Sequence, residues 1–461
     1  MHRLWLLAAL LASGCTEVAN PRSCVDGSCT DSQFPYCDLE GLIEQPKTCV
    51  AVECNPGSFK ACRDDRAITC NPTGNNYDLV ECPYGCDGNG CIPPPEQLDC
   101  TTNIQCANPA PICGQDMMCR GCNANEECSS TVCELDTGAC TADTAVVYAS
   151  PTGSTTSDCT LAEPCALARA TARAATTIGS TLRLLPGDYT ENLDITGNVI
   201  VKIVATGARL TGTAKMSVTG GATVNLRDLE ISTGTPNLTC GDMSIVPKST
   251  LRISNVIGAL RINRCSITMI GGELRGLSTT SDAGLDADGV RVTYPFPQTS
   301  GSRLSIRFVN SIFDNNIISL ANDDQSAPGS TLSVAFSTFV YRESGYTFSC
   351  NTNTNNIRTE RFENNIFVAT PATGLVAVFM PGNCSFANNI TFPQATPVPG
   401  GNMVVDPQLE NIAAGDFVLK VGSPAINAAI PSTGLTTSRD FAGVARPQGA
   451  AHDIGAFERL P

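Results

Sequence analysis

Short runs of alternating apolar and polar residues fill the chain after residue 143, and Gly, Asn and Asp separate them. Such runs, of which "VNLRDLEI" and "ERFENNIF" are examples, predict half-buried β-strands. A small polar residue recurs within the runs, with steps of 27, 55, 27, 27 and 24 residues, at Asp228, Asn255, Asn310, Ser337, Asn364 and Asn388. The 55-residue step spans the loop-like "LSTTSDAGLDADG" and is close to two periods. A repeat of about 27 residues with no helical pattern predicts an all-β, right-handed parallel β-helix with one coil per repeat.

In this fold the coils stack about 4.8 Å apart, with apolar side chains inside and asparagines in ladders from coil to coil. Residues 146 to 406 would form roughly ten coils and a rod of about 50 Å. A jelly roll or sandwich also uses short strands, but it predicts antiparallel hairpins with two-residue turns. The Ala-rich segment "ALARATARAATTIGS" predicts a helix that caps the first coil and protects its edge.

The region 16–143 has few large apolar residues and holds 18 of the 25 cysteines. These cysteines fall into groups of four, six, four and four, which predicts small disulfide-rich modules with little regular structure. Six more cysteines follow residue 141, so both regions hold an even number once Cys15 is set aside. Cys119 and Cys122 form half of a zinc-type motif. The chain has only two histidines, however, and disulfides in an oxidising compartment are the stronger prediction.

The six later cysteines predict disulfides within the β-helix. Cys240 and Cys265 follow repeat positions by 12 and 10 residues, so they occupy nearly the same phase of successive coils, within bonding distance. A second pair would close a short loop, and the third requires a lateral loop that reaches across the coil. The predicted disulfides are Cys240–Cys265, Cys159–Cys165 and Cys350–Cys384.

Charge also separates the two regions. Residues 16–143 hold 20 acidic and 6 basic side chains, whereas residues 144–461 hold 24 acidic and 22 basic ones, within a total charge of −15. The acidic region would repel nucleic acid and bare anionic membrane, and it would stay extended and soluble. Nucleic-acid binding is therefore excluded.

The first fifteen residues, "MHRLWLLAALLASGC", have the layout of a secretory signal: Arg3, a short apolar run, and small residues directly before Cys15. They resemble a bacterial lipobox, although Leu11 lies one place further out than in the usual pattern. This resemblance implies a signal peptide at 1–14, acylation of Cys15 and a lipid anchor at the outer membrane or cell surface. The alternative is an ordinary cleaved signal and a secreted protein. No other apolar run approaches the ~18 residues of a membrane span.

Residues 145–461 resemble bacterial secreted β-helix proteins with a pectate-lyase-like fold. The segment 406–461 is similar to the C-terminal segment called choice-of-anchor, and Asn427 stands where that family usually has Asp. The matching elements are Asp406-Pro407, Gly415-Asp416-Phe417, Gly422-Ser423-Pro424-Ala425-Ile426, Arg446-Pro447-Gln448 and Asp453-Ile454-Gly455-Ala456-Phe457-Glu458. Residues 16–143 resemble the cysteine-rich repeats of secreted deltaproteobacterial proteins. The resemblance implies the fold and surface display, and no activity, because most members have none assigned.

The best local candidate for chemistry is "GLDADGVRV", with Asp286, Asp288 and Arg291. β-Helix lyases use an Arg or Lys base beside Asp residues that hold calcium, and glycosidases of this fold use carboxylates on one face. "DADG" resembles the "DG" dipeptide of polygalacturonases, but their "GHG" element is missing. Asp323 and Asp324 are candidates for further carboxylates. The alternative is that all of these residues form solvated turns.

Three carboxylates, Asp440, Asp453 and Glu458, lie in the C-terminal motif. They would hold calcium, the one cofactor considered for this chain, or would accept backbone hydrogen bonds with Arg446 as a partner. We favour the hydrogen-bonding role over calcium binding. His452 adjoins Asp453, but no serine or cysteine nucleophile is marked nearby, so a catalytic triad is unsupported.

These observations predict a surface lipoprotein in which an acidic region, 16–143, carries a β-helix, 144–405, and a C-terminal segment, 406–461. The first hypothesis is binding of an extracellular polysaccharide or a surface protein without catalysis. The alternatives are a polysaccharide lyase or glycosidase acting on an acidic polysaccharide, and a structural envelope spacer. Aromatic residues are only 5% of the chain, and the single tryptophan is Trp5 in the signal, which disfavours a sugar-stacking platform.

Overall fold

The fold was analysed in a computed structural model. The residues it describes are 22–24, 29, 33–34, 36–38, 41, 46–51, 54, 58–71, 77–83, 85–88, 90–91, 100 and 102–460, the last range with gaps at 116–117, 177–178, 233–236, 243–247, 281, 294–297, 302, 316–321, 324–328, 343–345, 350–358, 371–375, 380–383, 394–399, 433–434 and 436. The chain forms two compact units, Met1–Arg120 and Gly121–Pro461.

The first unit consists of small antiparallel pieces held by disulfides. Its strands are Tyr36–Asp38 with Thr48–Val50, Phe59–Arg63 with Arg66–Cys70 and Tyr77–Glu81, Cys86–Asp87 with Gly90–Cys91, and Ile112–Cys113 with Cys119–Arg120. Its disulfides are Cys24–Cys37, Cys29–Cys49, Cys54–Cys70, Cys62–Cys86, Cys82–Cys91, Cys100–Cys113 and Cys106–Cys119. In each four-cysteine group the first cysteine bonds the third and the second bonds the fourth. A 3-10 turn, Asn103–Gln105, completes the regular structure described in this unit.

The second unit begins with the last four-cysteine group, which we call module four, residues 121–143. It contains a 3-10 turn, Asn125–Glu127, and a hairpin of Cys133–Glu134 and Ala139–Cys140. Its disulfides are Cys122–Cys133 and Cys128–Cys140. The sequence predicts a boundary at 143/144, but module four packs with the β-helix, because buried Val132 joins an apolar cluster with Val146, Tyr148 and Val204.

Eleven parallel strands form the first large sheet, which we call sheet A. Every strand pairs with the next one along the chain, so each connection is one coil. The strands are Val146–Ser154, Thr181–Leu184, Ile200–Val204, Thr223–Arg227, Thr250–Ser254, Ser266–Ile270, Gly284–Asp288, Ser305–Val309, Thr331–Ala335, Thr359–Glu363 and Cys384–Ala387. This stacking confirms the all-β parallel β-helix that the repeat predicts.

Fifteen parallel strands form the second large sheet, sheet B. The strands of its main path are Gly187–Tyr189, Ala208–Leu210, Glu230–Ile231, Ile257–Ile262, Glu273–Thr279, Arg291–Val292, Ile312–Asp314, Thr338–Tyr341, Ile366–Ala369 and Ile390–Phe392. The others are Leu193–Thr196, Met216–Thr219, Leu238–Cys240, Gln298–Gly301 and Asn322–Asp323. A separate parallel pair, Tyr346–Ser349 with Val376–Phe379, lies outside both sheets.

Coil length varies more than the sequence period suggests. The paired residues Thr250 and Ser266 are 16 positions apart, whereas Thr331 and Thr359 are 28 apart. Three coils, not two, therefore occupy the 55-residue interval, because the coils starting at Thr250, Ser266 and Gly284 have short turns. The interpretation of that interval as two periods is wrong.

Left-handed backbone at one corner explains the recurring polar residue. The residue directly after each sheet A strand from Thr223–Arg227 onward has φ between 49° and 66°, namely Asp228, Asn255, Gly271, Gly289, Asn310, Phe336, Asn364 and Asn388. Asn, Asp and Gly adopt this conformation at the lowest cost. Ser337 lies one position later than expected, since Phe336 occupies the corner of that coil.

A second, fully buried ladder runs one residue further along. The backbone N–H groups of Ser337 and Asn365 donate to the side-chain oxygens of Asn365 and Asn389, both at 2.9 Å. The N–H of Asn389 donates to Asn402 at 2.8 Å. Each side chain therefore satisfies a buried backbone group of the neighbouring coil, which is the requirement for burying a turn.

Apolar side chains and one disulfide fill the interior. The rings of Phe313 and Phe339 stack at 4.2 Å, and those of Phe339 and Phe367 at 4.4 Å. Cys240 bonds Cys265 across two coils with Cα atoms 5.7 Å apart. The positions of the two cysteines within the repeat predict this disulfide, because stacked coils bring equivalent positions together.

Different segments cover the first coils and the side of the later coils. A helix, Leu167–Thr176, packs on the first coils through buried Leu167, Ala170 and Ala174. The C-terminal segment has strands Leu409–Asn411 and Asp416–Leu419 with the 3-10 turn Ile412–Ala414 between them. Its apolar residues pack on Ile312, Val340, Ile366, Val368 and Ile390 of sheet B. The segment 406–461 thus lines the side of the later coils. Within the described residues no helix is long and apolar enough to cross a membrane.

Candidate ligand-binding groove

The outer face of sheet A aligns side chains in columns because its strands are in register. One column runs through Lys202, Asn225, Arg252, Thr268 and Asp286 in five neighbouring strands. Neighbours in a column are about 4.8 Å apart, so Lys202 and Arg252 are separated by about 10 Å. Outward positions in these strands alternate with buried core residues, as the period of two requires.

Module four forms the second wall over this face. A groove of about 640 Å³ separates the two. The residues that line it are Glu134, Leu135, Asp136, Lys202, Ile203, Asn225, Leu226, Arg227, Arg252, Ile253, Ser254, Thr268 and Ile270. The sheet contributes three cations, and the hairpin loop of module four contributes two carboxylates.

Arg227 fixes module four to the sheet. Its side chain is almost fully buried, and Nη2 donates to Asn125 Oδ1 at 2.5 Å and to the Cys133 carbonyl at 2.6 Å. Asn125 in turn donates to Thr206 Oγ1 at 2.8 Å. Burial lowers the pKa of Arg227, and the nearby Asp228 carboxylate opposes this change. The guanidinium therefore bridges both walls of the groove.

Two further contacts hold the module. The Tyr148 hydroxyl donates to the Ser130 carbonyl at 2.9 Å, and burial raises the pKa of Tyr148 to about 12. Arg183 Nε donates to Thr131 Oγ1 at 3.3 Å. The groove wall is thus fixed by hydrogen bonds from three side chains of the β-helix, in addition to the module's own disulfides.

Lys202 lines the groove and forms an ion pair with Glu134 of module four. Burial, and to a smaller extent the positive charge of Arg227, lower the pKa of Lys202 to about 8. The Glu134 carboxylate also accepts a hydrogen bond from the Thr141 hydroxyl at 2.6 Å. Lys202 is therefore a cation whose charge is sensitive to pH just above neutrality.

Arg252 lies in the middle of the sheet wall and is exposed. Among the residues that the structure describes, no ion pair or hydrogen bond neutralises its guanidinium. The neighbouring groups Asn225, Ser254 and Thr268 are uncharged hydrogen-bonding side chains. This part of the groove thus offers an uncompensated positive charge beside neutral polar groups.

The three residues proposed from sequence do not form one site. Asp286 accepts a hydrogen bond from Arg307 at 2.5 Å, and Asp288 accepts one from Asn310 at 2.8 Å. Arg291 lies past the left-handed corner, on sheet B, where it donates to Asp314 at 2.8 Å. The corner at Gly289 directs the cation to a different sheet from the two carboxylates. Asp286 alone adjoins the groove, since its strand pairs with that of Thr268.

Several expected sites lie outside the described residues. Cys15, Cys350 and Asp324 are among them, and for Asp323 and Cys384 only the strand position is described. The structure has the disulfide Cys159–Cys165 as well as Cys240–Cys265.

The three C-terminal carboxylates accept backbone hydrogen bonds and one of them pairs with Arg446, as the structural interpretation of the sequence predicts. Glu458 forms a buried ion pair with Arg446 at 3.0 Å. Asp453 accepts a backbone hydrogen bond from Asn427 at 2.7 Å, and Asp440 accepts one from Glu458 at 2.8 Å. Burial lowers the pKa of His452, whose ring lies 5.5 Å from that of Phe336.

A larger cavity, of about 760 Å³, lies where the first strand, the helix and the loop around Cys159 meet. Its charged groups already have partners, because Asp158 pairs with Arg173 at 3.8 Å and Asp143 accepts from Ser129 at 3.4 Å. The groove is the stronger candidate, since it retains an unpaired charge. Groups of three metal-ligand side chains in the described residues are all cysteines engaged in disulfides.

Sequence reasoning missed the groove. Lys202 and Arg252 stand at outward positions of "IVKIV" and "TLRIS", which signals exposure but not a shared column. Coil register brings them together, and module four turns the face into a groove.

Known proteins give limited information about the groove. No family model matches the chain, and no curated protein matches it significantly. Among solved structures, the chain is similar to "pectate lyase Pel9A", with 15% identity, a TM-score of 0.36, and coverage of 68% of this chain and 96% of that one. The fold assignment rests on the strand pairings described above.

Proposed function

We propose that the chain is an exported binding protein whose groove holds an acidic polysaccharide. The uncompensated charge of Arg252 carries this proposal, because an exposed guanidinium beside neutral hydrogen-bonding groups suits a carboxylate or sulfate. The other two cations of the groove, Lys202 and Arg227, already have partners in module four, so Arg252 is the cation that a ligand anion would meet. The column continues beyond the groove through Asp286, whose charge Arg307 balances, so a polymer would not meet a repulsive end.

The proposed setting is extracellular. Eleven disulfides among the described cysteines favour an oxidising compartment. We propose acylation of Cys15 and attachment at the outer membrane or cell surface, with secretion as the alternative. Mass spectrometry of the mature amino terminus tests this directly. An unmodified cysteine, or cleavage at another position, would refute the lipid anchor.

Calorimetric titration of the purified ectodomain with acidic polysaccharides tests the binding proposal. Polygalacturonate, alginate and chondroitin sulfate serve as acidic probes, and dextran serves as the neutral one. Arg252→Gln should weaken binding by about tenfold or more, since a charge-assisted hydrogen bond contributes about 1.5–3 kcal/mol. The matched control is Arg261→Gln, which changes an arginine that is also exposed but lies on sheet B, and this variant should bind like the wild type. Absence of binding to every acidic probe would favour the structural spacer instead.

A second candidate function is a polysaccharide lyase at the same groove. One observation favours it, namely that burial brings the pKa of Lys202 to about 8, close to the value that suits a general base. Incubation with uronic-acid polysaccharides should then generate unsaturated products, detected by their absorbance, and Lys202→Ala should abolish them. Products that persist in Lys202→Ala but vanish in Arg291→Ala would place the chemistry at the sequence-derived site. We rank binding without turnover first, because Glu134 engages the Lys202 amine.

A further inference from the structure

Building on the proposed acidic-polysaccharide site, we infer that the groove selects acetylated chains that carry a sparse negative charge. The walls of the groove hold two exposed aliphatic side chains as well as the cations. Leu135 of module four is 57% exposed, and Ile270 of sheet A is 60% exposed. A third, Ile200, is 58% exposed and points outward two residues before Lys202 on the same strand.

These side chains are unusual for this protein. Only ten large apolar side chains are exposed among the described residues, and two of them line this one groove. Exposed apolar groups that cluster at a concave site mark a binding surface more often than scattered ones do. Leu135 and Ile270 stand on opposite walls, so a ligand in the groove would contact both.

The apolar groups are aliphatic, and this limits the kinds of ligand that the groove suits. None of the side chains that line the groove is aromatic, so it lacks the flat ring that stacks on the face of a sugar. Branched aliphatic side chains instead suit small apolar substituents, such as the methyl of an acetyl group. The acetyl carbonyl would accept a hydrogen bond from the amide of Asn225 or the hydroxyl of Thr268, which lie in the same groove.

The charges of the groove limit the charge density of the ligand. Asp136 lines the wall formed by module four, beside Glu134, whose charge Lys202 balances. A chain with a carboxylate on every sugar would bring some of these carboxylates against Asp136. A chain with fewer charges would place one carboxylate on Arg252 and its neutral, acetylated sugars elsewhere. The apolar walls and the Asp136 carboxylate therefore favour the same ligand, an acetylated acidic polysaccharide of low charge density.

The test compares one polysaccharide before and after deacetylation. O-acetylated glucuronoxylan carries a carboxylate on only a minority of its sugars, and mild alkali changes its acetyl content but not its chain or its carboxylate number. The wild-type ectodomain should bind the acetylated sample more tightly, by about fourfold for each methyl group that leaves water. The double variant Leu135→Ser/Ile270→Ser should remove this preference, so that it binds the acetylated and the deacetylated samples with equal affinity. Both positions are exposed, so folding should be unaffected, and circular dichroism checks this.

Arg252→Gln serves as the reference variant, because it should lower the affinity for both samples by the same factor. Equal affinity of the wild type for the two samples would overturn the acetyl inference and leave the binding proposal intact. Binding to neither sample, nor to any other acidic polysaccharide, would overturn both. Binding to anionic lipid vesicles in place of the polysaccharides would likewise overturn both and assign the apolar groups to a membrane surface.

Discussion

Arg227 is the residue on which the groove's second wall depends, and Arg227→Ala is the most informative structural perturbation. The substitution removes two hydrogen bonds from one charged donor, to Asn125 Oδ1 and to the Cys133 carbonyl. Both acceptors lie in buried residues and would lose this donor. Hydrogen bonds that involve a charged group contribute about 1.5–3 kcal/mol each, so the gross loss is about 3–6 kcal/mol.

A part of this loss is recovered. Burial lowers the pKa of Arg227, which shows that its charge is held at a cost, and Nε lies 3.9 Å from the Asp228 carboxylate, too far for a hydrogen bond. Removing the side chain relieves that cost, so we expect a net loss of about 2–4 kcal/mol in the free energy of module docking. The disulfides within module four would remain, so the module should detach as a folded piece.

Hydrogen–deuterium exchange measures this outcome. In Arg227→Ala, peptides that cover residues 121–148 should exchange faster, while peptides from coils after residue 300 should be unchanged. Arg252→Ala, an exposed arginine in the next strand of the same sheet, is the control and should exchange like the wild type. Wild-type exchange in the 121–148 peptides of Arg227→Ala would refute the docking role assigned to this guanidinium.

Two other predictions concern the interior and the pH response. Asn389→Ala should destabilise the unit by about 3–5 kcal/mol in urea unfolding, because it removes buried partners of Asn365 and Phe362, whereas Ser385→Ala, at an exposed position of the same coil, should cost under about 0.5 kcal/mol. A midpoint unchanged by Asn389→Ala would contradict the ladder. The folded-state pKa of Lys202 lies at about 8, below its ordinary value of 10.5. The unfolded chain therefore binds more protons between these values, and the contribution of Lys202 to stability should rise across this window. Affinity for an acidic chain should fall as pH rises through about 8, and Lys202→Met should flatten both profiles.

The β-helix could be inferred from sequence because its determinants are local. Strand alternation and a left-handed corner recur in the coils from Thr223–Arg227 onward, and Asn255, Asn310 and Asn364 mark that corner as residues that accept positive φ. The same signal fails where glycine replaces asparagine, at Gly271 and Gly289. Glycine is common in all turns, so the sequence pattern does not mark these two corners, and the three short coils between Asn255 and Asn310 resemble two periods.

The groove could not be inferred in the same way. It depends on which face of the sheet module four covers, and this is decided by single contacts such as that of Arg227 with Asn125, 102 residues apart. The structure separates the residues of the sequence-derived candidate site for a related reason. Asp288 and Arg291 are close in the chain, but the corner between them assigns one to sheet A and the other to sheet B.

Hydroxyl-radical footprinting with and without a bound acidic polysaccharide tests the central claim most directly, because it reports the solvent access of individual side chains. Leu135 and Ile270 should both be protected by the ligand, since they stand on the two walls of the groove. Val421, which is 79% exposed in the C-terminal segment, should react equally in both samples. Protection confined to residues of sheet B or the C-terminal segment, with Leu135 and Ile270 unchanged, would contradict the account.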